Sequence, residues 1–372
     1  MDSSSVAAAL TLSLTGPFAR QGIDAAEGVQ LWAEDEGIRL TLVDDEGSSR
    51  KAVHAYTAWA DSVDVLLGPF TSGLVRAVVP VTRNRGRLLW NHGGAADDLA
   101  KSDVVCLSAA ASSYFHDAVD AATACETRGL AIVRGTGPFA RAVAGGAMAY
   151  GSEVGFSDDP DESLAIPTET VDASRWTGDG PADEVLWLAA AYLLVGRFEE
   201  DVAVVRRFRR QRQPPPLLAA VAAGIPAFGQ ELGEAADGVL GPVQWWPTPH
   251  TPEIGPSGME FATRYRRRTG REPSYVAAQA AAAGYLARAA HSRGLTAEGI
   301  RGWKTSTMLG DFSLDASWRQ VGHRVTTVQW QQGRMVPVTP QRYEMGVDMY
   351  GNYIPCGVYV PDPDELQTSK RV

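Results

Sequence analysis

Three short stretches hold the residues best suited to bind a small anion: Thr15-Gly16-Pro17, Thr71-Ser72-Gly73 and Gly93-Gly94-Ala95. Each follows an apolar run of strand character, and the second and third lead towards a helix start. Free backbone N–H groups at a helix start favour an anion, and glycine lets a ligand come close to the main chain. A carboxylate held by Ser72 and by N–H groups near Gly94 is the chemistry this pattern suggests. Taken singly, each stretch is also explained by Thr71 or Ser72 capping a helix and by glycines forming turns. In a parallel sheet, however, all three emerge on one edge, where open α/β sheets place their ligands.

Signatures of catalysis are scarce. Gly135-Thr136-Gly137 is a fragment of a phosphate loop with no following Lys-Ser/Thr, and no complete G-x-G-x-x-G or G-x-S-x-G is present. His54, His92, His116, His250, His291 and His323 show no metal-binding spacing. His92 alone falls at the expected ligand edge, which suits a structural or ligand-contacting imidazole better than a catalytic one. Asp44-Asp45-Glu46 reads as a solvated turn with helix-start charge, not as a metal cluster. Trp90 and Trp245-Trp246 suit core or hinge packing. Cys106, Cys125 and Cys356 form no C-x-x-C pair, and Cys106 lies in an apolar run that suits a buried thiol. The expectation is a binding protein with no metal, no cofactor and no catalytic residue.

The elements that must position these stretches follow from the apolar pattern. A strand over Val6 to Leu14 leads through Gly16-Pro17 into a helix from about Ile23 to Asp35. Further strands are expected at Arg39 to Val43, Val65 to Gly68, Arg87 to Trp90, Val104 to Leu107, Leu130 to Val133, Glu153 to Phe156, Val185 to Leu188, Pro216 to Val221 and Gly238 to Val243. Helices alternate with them, one capped by Ser48 or Ser49 and others over Ser112 to Cys125, Phe139 to Tyr150 and the stretch up to about Arg212. A polar loop is expected over Ser157 to Pro181, and two helices over Pro252 to Thr269 and Tyr275 to Arg293. A hairpin closes around Gln331-Gln332-Gly333. This alternation is that of an α/β protein with parallel, doubly wound sheets, and it has more strands than one open sheet comfortably takes.

The chain has 372 residues, 45% apolar content and a net charge of −10. Its length implies two domains, and its acidity argues against nucleic acid as a partner. The basic cluster Arg206 to Arg212 fits a solvated helix face. The apolar stretch Val185 to Val195 falls short of a membrane span. Met1-Asp2-Ser3-Ser4-Ser5 lacks the basic start of a secretory signal, so either the chain stays inside or a signal has been replaced by a start Met. Pro340 to Val372 shows no clear period and reads as a surface strap or a partly ordered end.

Leu14-Thr-Gly-Pro-Phe-Ala-Arg-Gln-Gly22, Val43-Asp-Asp45 and Leu67-Gly-Pro-Phe-Thr-Ser-Gly73 together resemble type I periplasmic binding proteins, in particular the leucine/isoleucine/valine-binding family of ABC transporters. The likeness extends through Pro273-Ser-Tyr275 to Val328-Gln-Trp330. It implies two Rossmann-like lobes with parallel sheets joined by a three-crossover hinge, near Ser108 to Ser112, Pro242 to Pro247 and Gly310 to Trp318. The lobes would be residues 1–109 with 246–311, and 110–245 with 312–340, followed by an extension over 341–372. A ligand would lie between the lobes, which close on it.

Carried over by position, the resemblance makes Gln21, Ser72, Gly93, Gly94, Phe139 and Tyr192 ligand-binding, and Thr71 and His92, read from the loops themselves, complete the expected ligand-binding set. Ser72 would take the carboxylate, Gly93 and Gly94 would flank the carboxylate and amine, and Phe139 and Tyr192 would cover the ligand. Two departures stand out. Ala95 replaces a customary Thr, and Val221-Ala222-Ala223 stands where an acid would hold the ammonium. A buried ammonium without partners costs several kcal/mol. The implied ligand is therefore a carboxylate with an apolar or aromatic body, or an amide, and not an ordinary α-amino acid. The implied role is an extracytoplasmic, monomeric solute-binding protein that serves an ABC permease. A cytoplasmic small-molecule sensor on the same fold is the alternative, and an enzyme using His92 or Asp44-Asp45 is a third reading.

Overall fold

The computed structural model describes residues 6–156 apart from 126 and 128, the strand at 166–172, residues 190–338 apart from 212–214 and 216, and two short strands at 345–347 and 353–355. In chain order the elements begin with β1 (Ala7–Leu12), α1 (Ala19–Glu36), β2 (Arg39–Asp44), α2 (Ser49–Trp59), β3 (Val65–Leu67), α3 (Ser72–Arg83), β4 (Leu89–Asn91) and β5 (Val104–Cys106). There follow α4 (His116–Ala124), β6 (Gly129–Arg134), α5 (Pro138–Glu153), β7 (Ile166–Asp172), β8 (Ala190–Val195), α6 (Phe198–Arg209), β9 (Leu217–Ala220), α7 (Pro226–Leu232) and β10 (Leu240–Val243). The order continues with α8 (Gly258–Thr269), α9 (Tyr275–Ser292), α10 (Ala297–Gly302), β11 (Thr305–Thr307) and β12 (Gly310–Phe312). It ends with β13 (Thr326–Gln331), β14 (Arg334–Val338), β15 (Met345–Val347) and β16 (Tyr353–Pro355).

The chain forms two compact units, Met1–Ala110 with Gln244–Val325, and Ala111–Val243 with Thr326–Val372. In the first unit a fully parallel sheet runs β2-β1-β3-β4-β5. Residues of β1 alternate between its two faces. Leu10 and Leu12 join Trp32 of α1, Phe261 of α8 and the Ala-rich α9, while Ala9 joins Tyr56 of α2 and Val75 and Val78 of α3. Gly16, at φ 81°, turns the chain after β1 so sharply that a Cβ on Gly22 would lie 1.9 Å from the Ser13 carbonyl oxygen. In the second unit the order is β14-β13-β10-β9-β8-β6-β7, with β13 and β14 antiparallel. Its parallel part, β7-β6-β8-β9-β10, repeats the winding of the first sheet, although no repeat is visible in the sequence. In both sheets the chain reverses direction of winding beside its first strand, the usual place for a ligand.

The chain passes between the units at Ala110/Ala111, Val243/Gln244 and Val325/Thr326. The third passage comes later than Gly310 to Trp318. Residues 310–322 remain with the first unit because β12 pairs with β11, Leu314 bridges to Gln320, and Val321 N–H donates to Ser313 O at 2.9 Å. Buried Gln244 ties all three passages within that unit. Its Oε1 accepts from Ala109 N–H (2.9 Å) and His323 Nε2 (2.9 Å), and its Nε2 donates to Ala109 O (3.2 Å).

Three expected elements differ. Residues 153–156 do not form a strand but the end of α5 and its turn, closed by Val154 N–H on Tyr150 O and Phe156 N–H on Gly151 O. The polar loop expected over 157–181 contains β7, an edge strand whose Pro167 masks its strand character. The strand expected at Val185 to Leu188 lies outside the described residues, and β8 instead occupies Ala190–Val195. A run as uniformly apolar as Val185 to Val195 has no period to locate a strand within it. Most of the tail beyond residue 338, Cys356 included, also lies outside the described residues.

Candidate functional site

The first unit brings the loops after β1, β3 and β4 to one sheet edge, as parallel pairing requires. Asp44 and Asp45 build the first loop. Asp44 Oδ1 accepts from Leu14 N–H (2.9 Å) and Glu46 N–H (2.9 Å), and its Oδ2 accepts from the Thr15 hydroxyl (2.7 Å). Asp45 Oδ1 accepts from the Ser13 hydroxyl (2.6 Å) and Gly47 N–H (2.9 Å). These carboxylates shape the turn, and no cluster fit to hold a metal occurs among the described residues. Gln21, half-buried, is the third residue of α1.

In the second loop Thr71 adopts φ 87° and caps α3, its Oγ1 accepting from Leu74 N–H at 3.2 Å. A non-glycine residue at positive φ is held there only by its surroundings. Ser72 opens α3 and is 4% exposed. Its Oγ accepts from Ala96 N–H at 3.0 Å, so it braces the third loop while its hydroxyl proton is left to donate.

The third loop is fixed by Asn91, a residue absent from the expected ligand-binding set. Asn91 Oδ1 accepts from Gly94 N–H (2.8 Å), and its Nδ2 donates to Gly94 O (2.6 Å) and to the Cys106 thiol (3.2 Å). The N–H of Gly94 is therefore not open to a ligand, contrary to expectation. The available signal was an Asn at a strand end before Gly-Gly, which is a turn signature. Gly93 bridges to Phe70, and a Cβ there would lie 2.6 Å from Phe70 Cα, so only glycine lets these two loops meet. His92 is 0% exposed, and neither ring nitrogen has a hydrogen-bond partner. Burial pushes its pKa down to about 4, with the nearby Gly68 backbone opposing weakly from outside hydrogen-bonding geometry. His92 is thus a neutral core imidazole and not a ligand contact. Cys106 is buried and free, and burial raises its thiol to about 11. Cys125 is also free.

In the second unit Phe139 is the second residue of α5, half-buried, with its ring edge-on to Tyr114 at 5.2 Å. Tyr192 does not stand at the sheet edge. It lies inside β8, is 1% exposed, and packs on Phe208 at 4.7 Å, as alternation within a buried strand dictates. The turn after β9, Val221–Gly224, carries no acid. Behind it stands a carboxylate from α6 that was not foreseen. Asp201 is 2% exposed and accepts from Gly196 N–H (2.7 Å) and Ala222 N–H (3.1 Å).

A family described as periplasmic binding protein matches residues 5–334. Solved structures of the same fold include LivJ, the branched-chain amino acid transporter substrate binding protein of Streptococcus pneumoniae, in complex with isoleucine. It is 17% identical, with 90% of this chain and 100% of that chain covered and a TM-score of 0.74. The leucine binding protein LivK of Thermotoga maritima is 17% identical, with 90% and 98% covered and a TM-score of 0.74. An ABC transporter solute binding protein of R. palustris, in complex with benzoate, is 16% identical, with 90% and 96% covered and a TM-score of 0.68.

Proposed function

The chain belongs to the periplasmic binding protein family, and from that premise we propose that it captures a carboxylate with an apolar or aromatic body for an ABC importer. Binding without turnover, outside the cytoplasm, is the activity proposed. No helix among the described residues is long and apolar enough to cross a membrane.

One observation carries the choice of ligand: the candidate edges provide for an anion and not for an ammonium. In the first unit Ser72 keeps a proton to donate at the N-terminus of α3, which favours negative charge. In the second unit the turn at Val221–Gly224 has no acid, and both oxygens of Asp201 are committed to backbone N–H groups behind it. Ala95 adds no hydroxyl. That a protein of this fold is solved with benzoate supports the reading.

Mass spectrometry of ligand carried through native purification is expected to show an organic acid lacking a free α-ammonium. Calorimetry is expected to show binding of benzoate or a related acid and none of leucine. Tight leucine binding would overturn the proposal. Replacing Ser72 by Ala is expected to weaken a carboxylate ligand by about 1.5–3 kcal/mol, the range for a hydrogen bond to a charged group. The same change orphans the Ala96 N–H, so melting should also occur at lower temperature. Unchanged affinity in a folded Ser72→Ala protein would mean that the carboxylate binds elsewhere.

A further inference from the structure

We propose that the N-terminus of α9 encloses a small monovalent anion of halide size, held by the Ser274 hydroxyl and the N–H groups of Tyr275 and Val276. Helix α9 has 18 residues, so its first turn carries the full positive end of a helix dipole, and no acidic residue stands in that turn. A serine at the N-cap ordinarily accepts from an N–H of the first turn. Ser274 occupies the N-cap and makes no such bond. Its Oγ is buried without a partner, and the residue is 2% exposed. The hydrogen-bond ladder of α9 begins with Ala277 and Ala278, both donating to Ser274 O. The N–H groups of Tyr275 and Val276 therefore have no acceptor among the described residues, and Val276 is itself buried.

A buried helix end with three open donors calls for an occupant that accepts from them. Water fits poorly. It accepts from two donors and brings two protons of its own, for which only the Ser274 oxygen is at hand. An anion accepts from all three donors and is favoured by the dipole. The charged side chains just before the helix do not take this place. Arg271 pairs with Asp24 at 3.0 Å, and Glu272 pairs with Arg266 at 3.1 Å.

The position of α9 separates this site from the candidate edge at Ser72. Gly28 lies against Ala277 and Trp32 against Gly284, so α1 and α9 run side by side in the same direction. Helix α1 starts where β1 ends, and the N-terminus of α9 therefore points towards the same end of the sheet as the three loops. It does so on the opposite face. Helix α9 covers the face of Leu10 and Leu12, whereas α3, which Ser72 opens, covers the face of Ala9. The anion site does not rest on the function proposed above.

The test compares melting of the full chain in sodium chloride, sodium bromide and sodium methanesulfonate at one ionic strength, the last anion being too large for an enclosed site. Chloride and bromide, at about ten times their dissociation constant, are expected to raise the melting temperature over methanesulfonate by roughly 3–6 °C. Ser274→Ala should abolish the difference, and Ser72→Ala should keep it. Because Ser274 does not cap α9, the comparison reads the anion and not a lost cap. Crystals grown in bromide should show an anomalous peak beside Ser274 Oγ. Equal melting in the three salts, or a difference that survives in Ser274→Ala, overturns the proposal. So does a difference lost in Ser72→Ala alone, which places the anion at α3, or a water in place of bromide beside Ser274. Should Ser274→Ala not fold, the bromide position in wild-type crystals decides. Failure of the leucine and benzoate experiments would leave the salt difference in place, so the two proposals fail separately.

Discussion

Lowering the pH from 6.5 to 4 is expected to remove about 3 kcal/mol of folding stability, through His92 and His323. Burial depresses both imidazoles to about 4 from an ordinary value of 6.5, opposed weakly at His323 by the Leu309 and Gln244 backbone. A depressed pKa gives stability that is present above the unfolded value and is lost as pH falls through the folded one. Each ring therefore loses about 3 kcal/mol across this window, at 1.36 kcal/mol for each pKa unit.

Asp201 works in the opposite sense. Its raised pKa gives stability that is present below 3.8 and lost as pH rises through about 7, which offsets one of the two histidines in the same range. Carboxylates whose pKa is lowered by partners, such as Asp98 beside Arg76, act mainly below this window. Urea unfolding at pH 7, 5.5 and 4.5 checks the sum. His92→Leu fills the ring's apolar site without a proton and should leave the profile nearly flat from pH 6.5 to 4. His323→Gln, which can still donate to Gln244 Oε1, should do the same. A wild-type slope that persists in both variants would mean that other groups carry it. His92→Leu should also leave ligand affinity unchanged, because the ring is enclosed.

Replacing Gly28 by Ala is expected to cost about 3 kcal/mol, near the upper end for overpacking. At two points where helices α1 and α9 meet, one of them presents a glycine to the other. A Cβ on Gly28 would lie 2.1 Å from Ala277 O, and one on Gly284 would lie 2.2 Å from the Trp32 ring. Backbone on one side and a fully buried indole on the other leave no room to yield. The change should lower the melting temperature by roughly 6–12 °C for a unit of this size. Gly145→Ala in α5 is the control. Nothing lies within 4 Å of the added methyl, so it should gain about 0.5–1 kcal/mol from helix propensity. Equal effects of the two substitutions would show that α1 and α9 do not pack in this way.

Much of the architecture was legible in the residues. Alternation of apolar strands with amphipathic helices specifies parallel sheets, because a crossover helix is what joins parallel neighbours. Ser48 caps α2 as its position suggested, its Oγ accepting from Lys51 N–H at 3.4 Å. Thr71, offered with Ser72 as a cap, performs that role at α3. Pattern failed at β8, where the apolar run had no period, and at β7, where Pro167 hid an edge strand.

The candidate edge was legible as a place and much less as chemistry. Loops after β1, β3 and β4 had to share an edge once the strands were parallel. Which of their polar groups remain open was decided by residues far apart in the chain. Ser72 holds Ala96 across 24 positions and Asp201 reaches Ala222 across 21, whereas Asn91 closes the Gly94 N–H locally, from three residues before it. His92 was expected at the ligand edge and Tyr192 over the ligand, and the folded chain buries both. Local propensity and periodicity reside in neighbouring residues, and so the sequence alone determines elements, caps and the order of loops. Burial, close approach of helices and the pairing of buried polar groups depend on strand order and register, and these exist only once the chain has folded.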